Sequence, residues 1–293
     1  MKRYEDGAIQ ISNVTKRYRD TLALEGISFR FEAGRIYGLL GRNGAGKSTL
    51  INIIANRIFA TDGCVTIDGE PVCENDRVQE KLYCMSEADL YPAGMRVKDI
   101  FKWTGSFYGC FDLEKAHKLA EAYELNVNKK VRALSTGYKS IFKLITALCL
   151  DVPYVIFDEP VLGLDANHRE LFYRLLLESY QEKPRTIIIA THLIEEVANL
   201  IEEVVIIDRG RILLQDSVER LMATGYSIAG SQADVDTYRR GAGVWLRPAG
   251  RHENCLPHGR GREKLHAGLH VSAMNLQKLF VKLTEKEVSS HEA

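Results

Sequence analysis

Gly41-Arg42-Asn43-Gly44-Ala45-Gly46-Lys47-Ser48-Thr49 sets the architecture of this chain. The stretch satisfies G-x-x-x-x-G-K-[ST], and each piece answers a physical requirement of triphosphate binding. Glycines let backbone N–H groups curl around the phosphates, and the helix that follows adds the positive end of its dipole. Lys47 is placed to reach the β- and γ-phosphates, and the Ser48 hydroxyl to ligate Mg²⁺. ATP and Mg²⁺ are the expected ligands, with Gly41 to Thr49 lining the nucleotide. The apolar run Ile36 to Leu40 enters this turn and a helix from Ser48 to about Asn56 leaves it.

Outward from there, segments alternate. Ala8 to Val14, Ile27 to Phe31 and Val65 to Ile67 read as strands. Residues 96–125 carry helical periodicity interrupted around Tyr108-Gly109, and Ser140 to Leu150 forms a further helix before Pro153. Strand Tyr154 to Phe157, helix Asn167 to Glu178, strand Thr186 to Ala190 and helix Ile194 to Leu200 then give a βαβα run, the mark of a parallel sheet. Val204 to Ile207 and Ile212 to Leu214 flank Asp208-Arg209-Gly210-Arg211 as a hairpin. Past Gly225 this patterning lapses until a helix at Asn275 to Leu283.

The strand Tyr154-Val155-Ile156-Phe157 ends in Asp158-Glu159. Behind a phosphate loop, such a pair supplies an Asp for Mg²⁺ and a Glu that polarises the attacking water. His192 follows another apolar strand, at the carboxyl edge where ligands bind in open α/β sheets. A histidine there serves either the ligand or the cap of the next helix.

These residues resemble the ATP-binding cassette (ABC) ATPases over roughly residues 8–225. Leu134-Ser135-Thr136-Gly137-Tyr138 is similar to the LSGGQ signature, which implies that Ser135 and Gly137 contact ATP held by an opposing subunit. Gly163-Leu164-Asp165 resembles the loop that crosses the dimer interface, with Asp165 as its acidic residue. By the same resemblance His192 is the switch histidine near the γ-phosphate, and Tyr18 is the aromatic that stacks on adenine. Leu90-Tyr91-Pro92 and the short helical insert resemble those of exporting cassettes. Two departures stand out: Thr136 and Tyr138 replace a glycine and the glutamine of the signature, and Ser86 occupies the place of a glutamine that normally contacts Mg²⁺ and couples to the membrane subunit. Ser86 or Glu87 must then substitute.

The resemblance implies an α/β fold: a P-loop NTPase mixed sheet with helices, an N-terminal antiparallel β subdomain, a small helical subdomain at about 87–150, and a C-terminal extension. The nucleotide-binding domain is expected at 1–225 and the extension at 226–293. Lys47, Glu159 and His192 are the candidate catalytic residues, and Ser48 and Asp158 the candidate metal ligands. The implied function is an ATPase subunit that pairs with a second cassette, as homodimer or heterodimer, and drives transport through a separate membrane-spanning permease. The alternative is a soluble or regulatory ABC ATPase.

Bulk properties fit this frame. The chain has 293 residues, 45% hydrophobic, with formal net charge zero. That balance favours no nucleic-acid partner. Between Arg239 and Lys264 seven Lys/Arg face two Asp/Glu, but the segment reads as solvated. His252, Cys255, His258, His266 and His270 match no standard zinc spacing. The six cysteines form no CxxC pair, which with a polar amino terminus fits reduced thiols in a cytosolic setting. No apolar run approaches the ~20 residues that span a bilayer, so another chain must cross any membrane at which this protein works, and the resemblance implies a peripheral subunit at the cytoplasmic face of the membrane.

Overall fold

The computed structural model describes residues 7–224, 226–229, 245–247, 252–256, 270–273 and 275–284. Its centre is a six-stranded sheet in the order β10-β9-β3-β8-β7-β6. These strands are β3 (Ile36–Leu40), β6 (Leu82–Met85), β7 (Tyr154–Asp158), β8 (Thr186–Thr191), β9 (Glu203–Asp208) and β10 (Arg211–Ser217). All pairings are parallel except the β9–β10 hairpin. Every residue of β3, β7 and β8 is buried, as expected of parallel strands covered on both faces.

Alternation along these strands divides the interior into two cores. Ile36, Leu40, Val155 and Phe157 face one side, where they meet the helices. These are α3 (Val97–Tyr108), α4 (Leu113–Ala122), α5 (Thr136–Cys149) and α6 (Ala166–Glu182). Tyr37, Leu39, Tyr154 and Ile156 face the other, against α1 (Lys47–Ile54) and a second sheet. That sheet has the order β2-β1-β4-β5, with every pairing antiparallel. It comprises β1 (Ala8–Tyr18), β2 (Thr21–Glu32), β4 (Asp62–Ile67) and β5 (Glu70–Pro71). A single turn of helix, α2 (Asp76–Gln79), leads into β6.

Helices α3, α4 and α5 fall between β6 and β7, within the expected helical span. Gly109, at φ 68°, ends α3 where the interruption was anticipated. Two details differ. Strand β6 was not expected, because four buried residues, Leu82-Tyr83-Cys84-Met85, show no period. Helix α5 starts at Thr136 rather than near Ser140, because the Ser135 hydroxyl caps it by accepting from the Tyr138 N–H at 3.3 Å.

Helix α7 (Ile194–Val197) precedes β9, and α8 (Val218–Thr224) follows the hairpin. A third, antiparallel sheet of β11 (Tyr226–Ala229), β12 (Trp245–Arg247), β13 (His252–Leu256) and β14 (His270–Ala273) was also unanticipated. The final helix, α9 (Leu276–Thr284), buries Leu276, Leu279 and Phe280 in the helix-side core, against α7. Most of the basic segment 239–264, with His258 and His266, lies outside the described residues.

Candidate active site

Three neighbouring strands deliver the candidate residues to one edge. β3 runs into the phosphate loop, β7 ends at Asp158 and β8 ends at Thr191, and β8 lies between the other two. In register, Leu40 stands opposite Thr191, and Asp158 opposite Ala190. Residues just past those ends therefore meet.

The loop is shaped to receive phosphate. Gly44 and Gly46 take φ of 80° and 111°, conformations that disfavour a side chain. A Cβ on Gly41 would meet the Ile207 carbonyl oxygen at 2.6 Å, and one on Gly46 the Ala23 oxygen at 2.9 Å. No side chain caps α1, and its first turn holds no acidic residue, so its leading amides suit an anion. The Lys47 ammonium is buried and folded back, donating to the Gly41 carbonyl at 2.8 Å and lying 3.4 Å from Glu159 Oε1.

Glu159 is held from several sides. It takes a left-handed φ of 49°, and its N–H donates to the Ala190 carbonyl at 2.9 Å. The Thr191 hydroxyl donates to Oε2 at 2.9 Å, and His192 Nδ1 lies 3.0 Å from Oε1. Asp158 beside it accepts from the Ser48 hydroxyl at 3.3 Å. Burial pushes the Asp158 carboxyl up to about 6; the Ser48 hydrogen bond opposes this and the Glu159 charge adds to it. A buried carboxylate so disfavoured, beside a serine hydroxyl, is a donor pair that a hard divalent cation fits.

The signature residues gather on a separate exposed surface. Gly137 is packed so closely that a Cβ there would meet the Gly163 carbonyl oxygen at 2.8 Å. The Ser140 hydroxyl donates to the Leu162 carbonyl at 3.1 Å, tying α5 to the loop that leads into Asp165. Asp165 caps α6 by accepting from the His168 N–H at 3.0 Å, with His168 Nδ1 2.7 Å away. Those bonds hold its carboxyl below the usual range. Tyr18, 45% exposed, closes the β1–β2 hairpin whose Ala23 and Leu24 abut Gly46, and the Lys16 ammonium sits 5.0 Å from its ring centre.

Ser86 follows β6, whose Met85 pairs with Phe157, so the next position falls beside Asp158. Its hydroxyl accepts from the Ala88 N–H at 3.2 Å and is engaged in its own turn. Beyond this loop opens a groove of about 690 Å³ lined by Arg57, Tyr83, Leu90, Tyr91, Trp103 and Phe107. Two residues have functional contacts that sequence alone did not single out. Thr191 looks like the last residue of an apolar strand. Lys143 sits inside the apolar run Ile141-Phe142-Lys143-Leu144-Ile145 and carries no motif.

Known proteins resemble this chain in sequence and in fold. Residues 24–162 match the family profile described as ABC transporter. The chain is 31% identical over 221 residues to the Nod factor export ATP-binding protein I of Burkholderia lata, covering 73% of this chain and 72% of that protein. It is 29% identical over 192 residues to the ABC transporter ATP-binding protein YtrB of Bacillus subtilis, 66% of each chain. With the ABC transporter ATP-binding protein NatA of the same organism it shares 28% identity over 225 residues, 73% of this chain and 91% of that one. Among solved structures, a dimeric ATP-binding cassette in a post-hydrolysis state bound to ADP and Pi superposes with a TM-score of 0.65. It is 23% identical, and the match covers 72% of this chain and 98% of that one.

Proposed function

The chain belongs to the ABC transporter ATP-binding family, and on that premise we propose that it is the ATP-hydrolysing subunit of an exporter, closing as a dimer around two Mg-ATP. The observation that carries this is the convergence of Lys47, Ser48, Asp158, Glu159, Thr191 and His192 at the ends of three adjacent strands. Family membership makes ATP binding and hydrolysis its activity. Export is favoured because relatives include Nod factor export proteins.

Bound Mg²⁺ supplies charge neutralisation and Lewis acidity to the phosphates. Ser48 and Asp158 would hold it. Lys47 leaves the Gly41 carbonyl and Glu159 for the β- and γ-phosphates. Glu159 then accepts a proton from water as its oxygen attacks the γ-phosphorus, and the bond to the bridging oxygen breaks to release ADP. Thr191 and His192 keep the Glu159 carboxylate aimed. Ser135, Gly137 and Asp165 meet the nucleotide of the opposing cassette, and Tyr18 meets adenine.

Residues 1–225 form the cassette in this assignment and 226–293 an extension. No described helix is long and apolar enough to cross a membrane, so a separate permease supplies the pathway. Its cytoplasmic segment would enter the groove beside Ser86, where Trp103 and Phe107 are 68% and 78% exposed. Affinity purification from detergent-solubilised membranes should recover the chain with a polytopic membrane protein in fixed stoichiometry. Recovery from the soluble fraction alone would favour the soluble ATPase alternative.

A further inference from the structure

Lys143 is the third of nine consecutive buried residues of α5, Ile141 to Cys149, and is itself 5% exposed. A buried ammonium needs partners, and this one has four. It donates to the carbonyls of Ser86 at 3.2 Å, Glu87 at 2.8 Å and Ala88 at 3.1 Å, and lies 3.1 Å from Asp89 Oδ1. Three successive carbonyls turned to one point repel one another unless a cation sits among them. Here the cation is a side chain from another element. Lys139, one turn earlier on α5, pairs with the other Asp89 oxygen at 2.6 Å.

The clamped segment is the one that follows β6 beside Asp158. The clamping helix is the one that begins at Ser135. Eight residues separate Ser135 from Lys143, about 12 Å of helix, so one rigid element joins the signature surface to the metal-side loop.

We infer that Lys143 is a positioning residue for hydrolysis: its buried ammonium, with Asp89 as counter-ion, fixes the Ser86–Asp89 loop beside Asp158 and ties that loop to the signature helix. The glutamine that would otherwise bridge this loop to the metal is absent, and the ionic clamp takes over the task of holding the loop in place. This inference rests on the assignment of the site as an Mg-ATPase.

The test compares Lys143→Met, which keeps length and loses charge, with Lys143→Arg and wild type. Hydrogen exchange at the amides of residues 87–90 reads the loop directly, without nucleotide. Turnover as a function of Mg²⁺ concentration reads the site, and nucleotide affinity in EDTA is the control. Lys143→Met should exchange faster and need about tenfold to a hundredfold more Mg²⁺ for half-maximal turnover, with affinity in EDTA unchanged. Lys143→Arg should recover part of both losses. Wild-type exchange and Mg²⁺ dependence in a folded Lys143→Met protein would overturn the inference. If that variant does not fold, Asp89→Asn decides, since its side chain is 43% exposed and its loss leaves the core intact. It should shift both readouts in the same direction, and no shift would overturn the clamp. A wild-type protein without Mg-dependent turnover would instead fail the functional assignment, and the exchange arm would still decide the clamp.

Discussion

Lys47 satisfies the Gly41 carbonyl and Glu159 at present, and phosphate oxygens must outcompete both. It is the one side-chain cation that the phosphate loop directs inward, so Lys47→Ala should leave the fold intact and lower turnover by at least about a hundredfold. Saturable Mg-ATP hydrolysis near the wild-type rate would contradict this. Asp158 yields a pH prediction. Its folded value, about 6, lies above the ordinary carboxyl value of 3.8. The native state therefore binds the proton more tightly, and the nucleotide-free protein loses stability as pH rises from about 4 to 6, by about 3 kcal/mol at most. Asp158→Asn should abolish that loss: denaturant melts should show it more stable than wild type at pH 7.5 and alike at pH 4, while its Mg-dependent turnover disappears. Equal stabilities at both pH values would refute the burial argument. The positions of the phosphate loop and Asp158-Glu159 were legible in the sequence because each is a short local pattern at a strand end, whereas a lone His192 needed the family resemblance to suggest a role. Thr191 and Lys143 were not legible, since their roles exist only through partners 32 and 55 to 57 positions away.

Among the elements, the loop after β6 carries the departure from the family pattern. Ser86 spends its hydroxyl on its own turn, whereas Glu87 is exposed and its charge reaches Asp158. Glu87→Ala should therefore lower permease-stimulated ATPase activity more than basal activity, and Ser86→Ala should be milder on both. Parallel assays with and without the membrane partner check this, and a larger loss for Ser86→Ala would reverse the assignment. Element boundaries were less legible than motifs. β6 is too short for a period, and α5 begins at a capping hydroxyl that a signature motif disguises. The strands β11 to β14 follow no alternation that the glycine- and arginine-rich tail makes visible, whereas α9 was anticipated because Leu276, Leu279, Phe280 and Leu283 recur at helical spacing.

For the whole molecule, the phosphate-side cluster and the signature surface are separate features of one chain. Ser135 and Asp165 are exposed, and the loop between Glu159 and Asp165 joins their surface to Glu159, the proposed base. A second cassette that supplies its own Ser135 and Gly137 to this nucleotide would complete both sites at once. Stopping hydrolysis should trap that closed state. Replacing Glu159 by Gln removes the base, worth about 10²–10⁴ in rate, while an amide can still accept from Thr191. Light scattering of Glu159→Gln with and without Mg-ATP is the most direct measurement of this arrangement. A mass that doubles with Mg-ATP and returns to that of the monomer on its removal is the predicted result. A monomer that binds Mg-ATP at the same protein concentration would contradict the shared-site account.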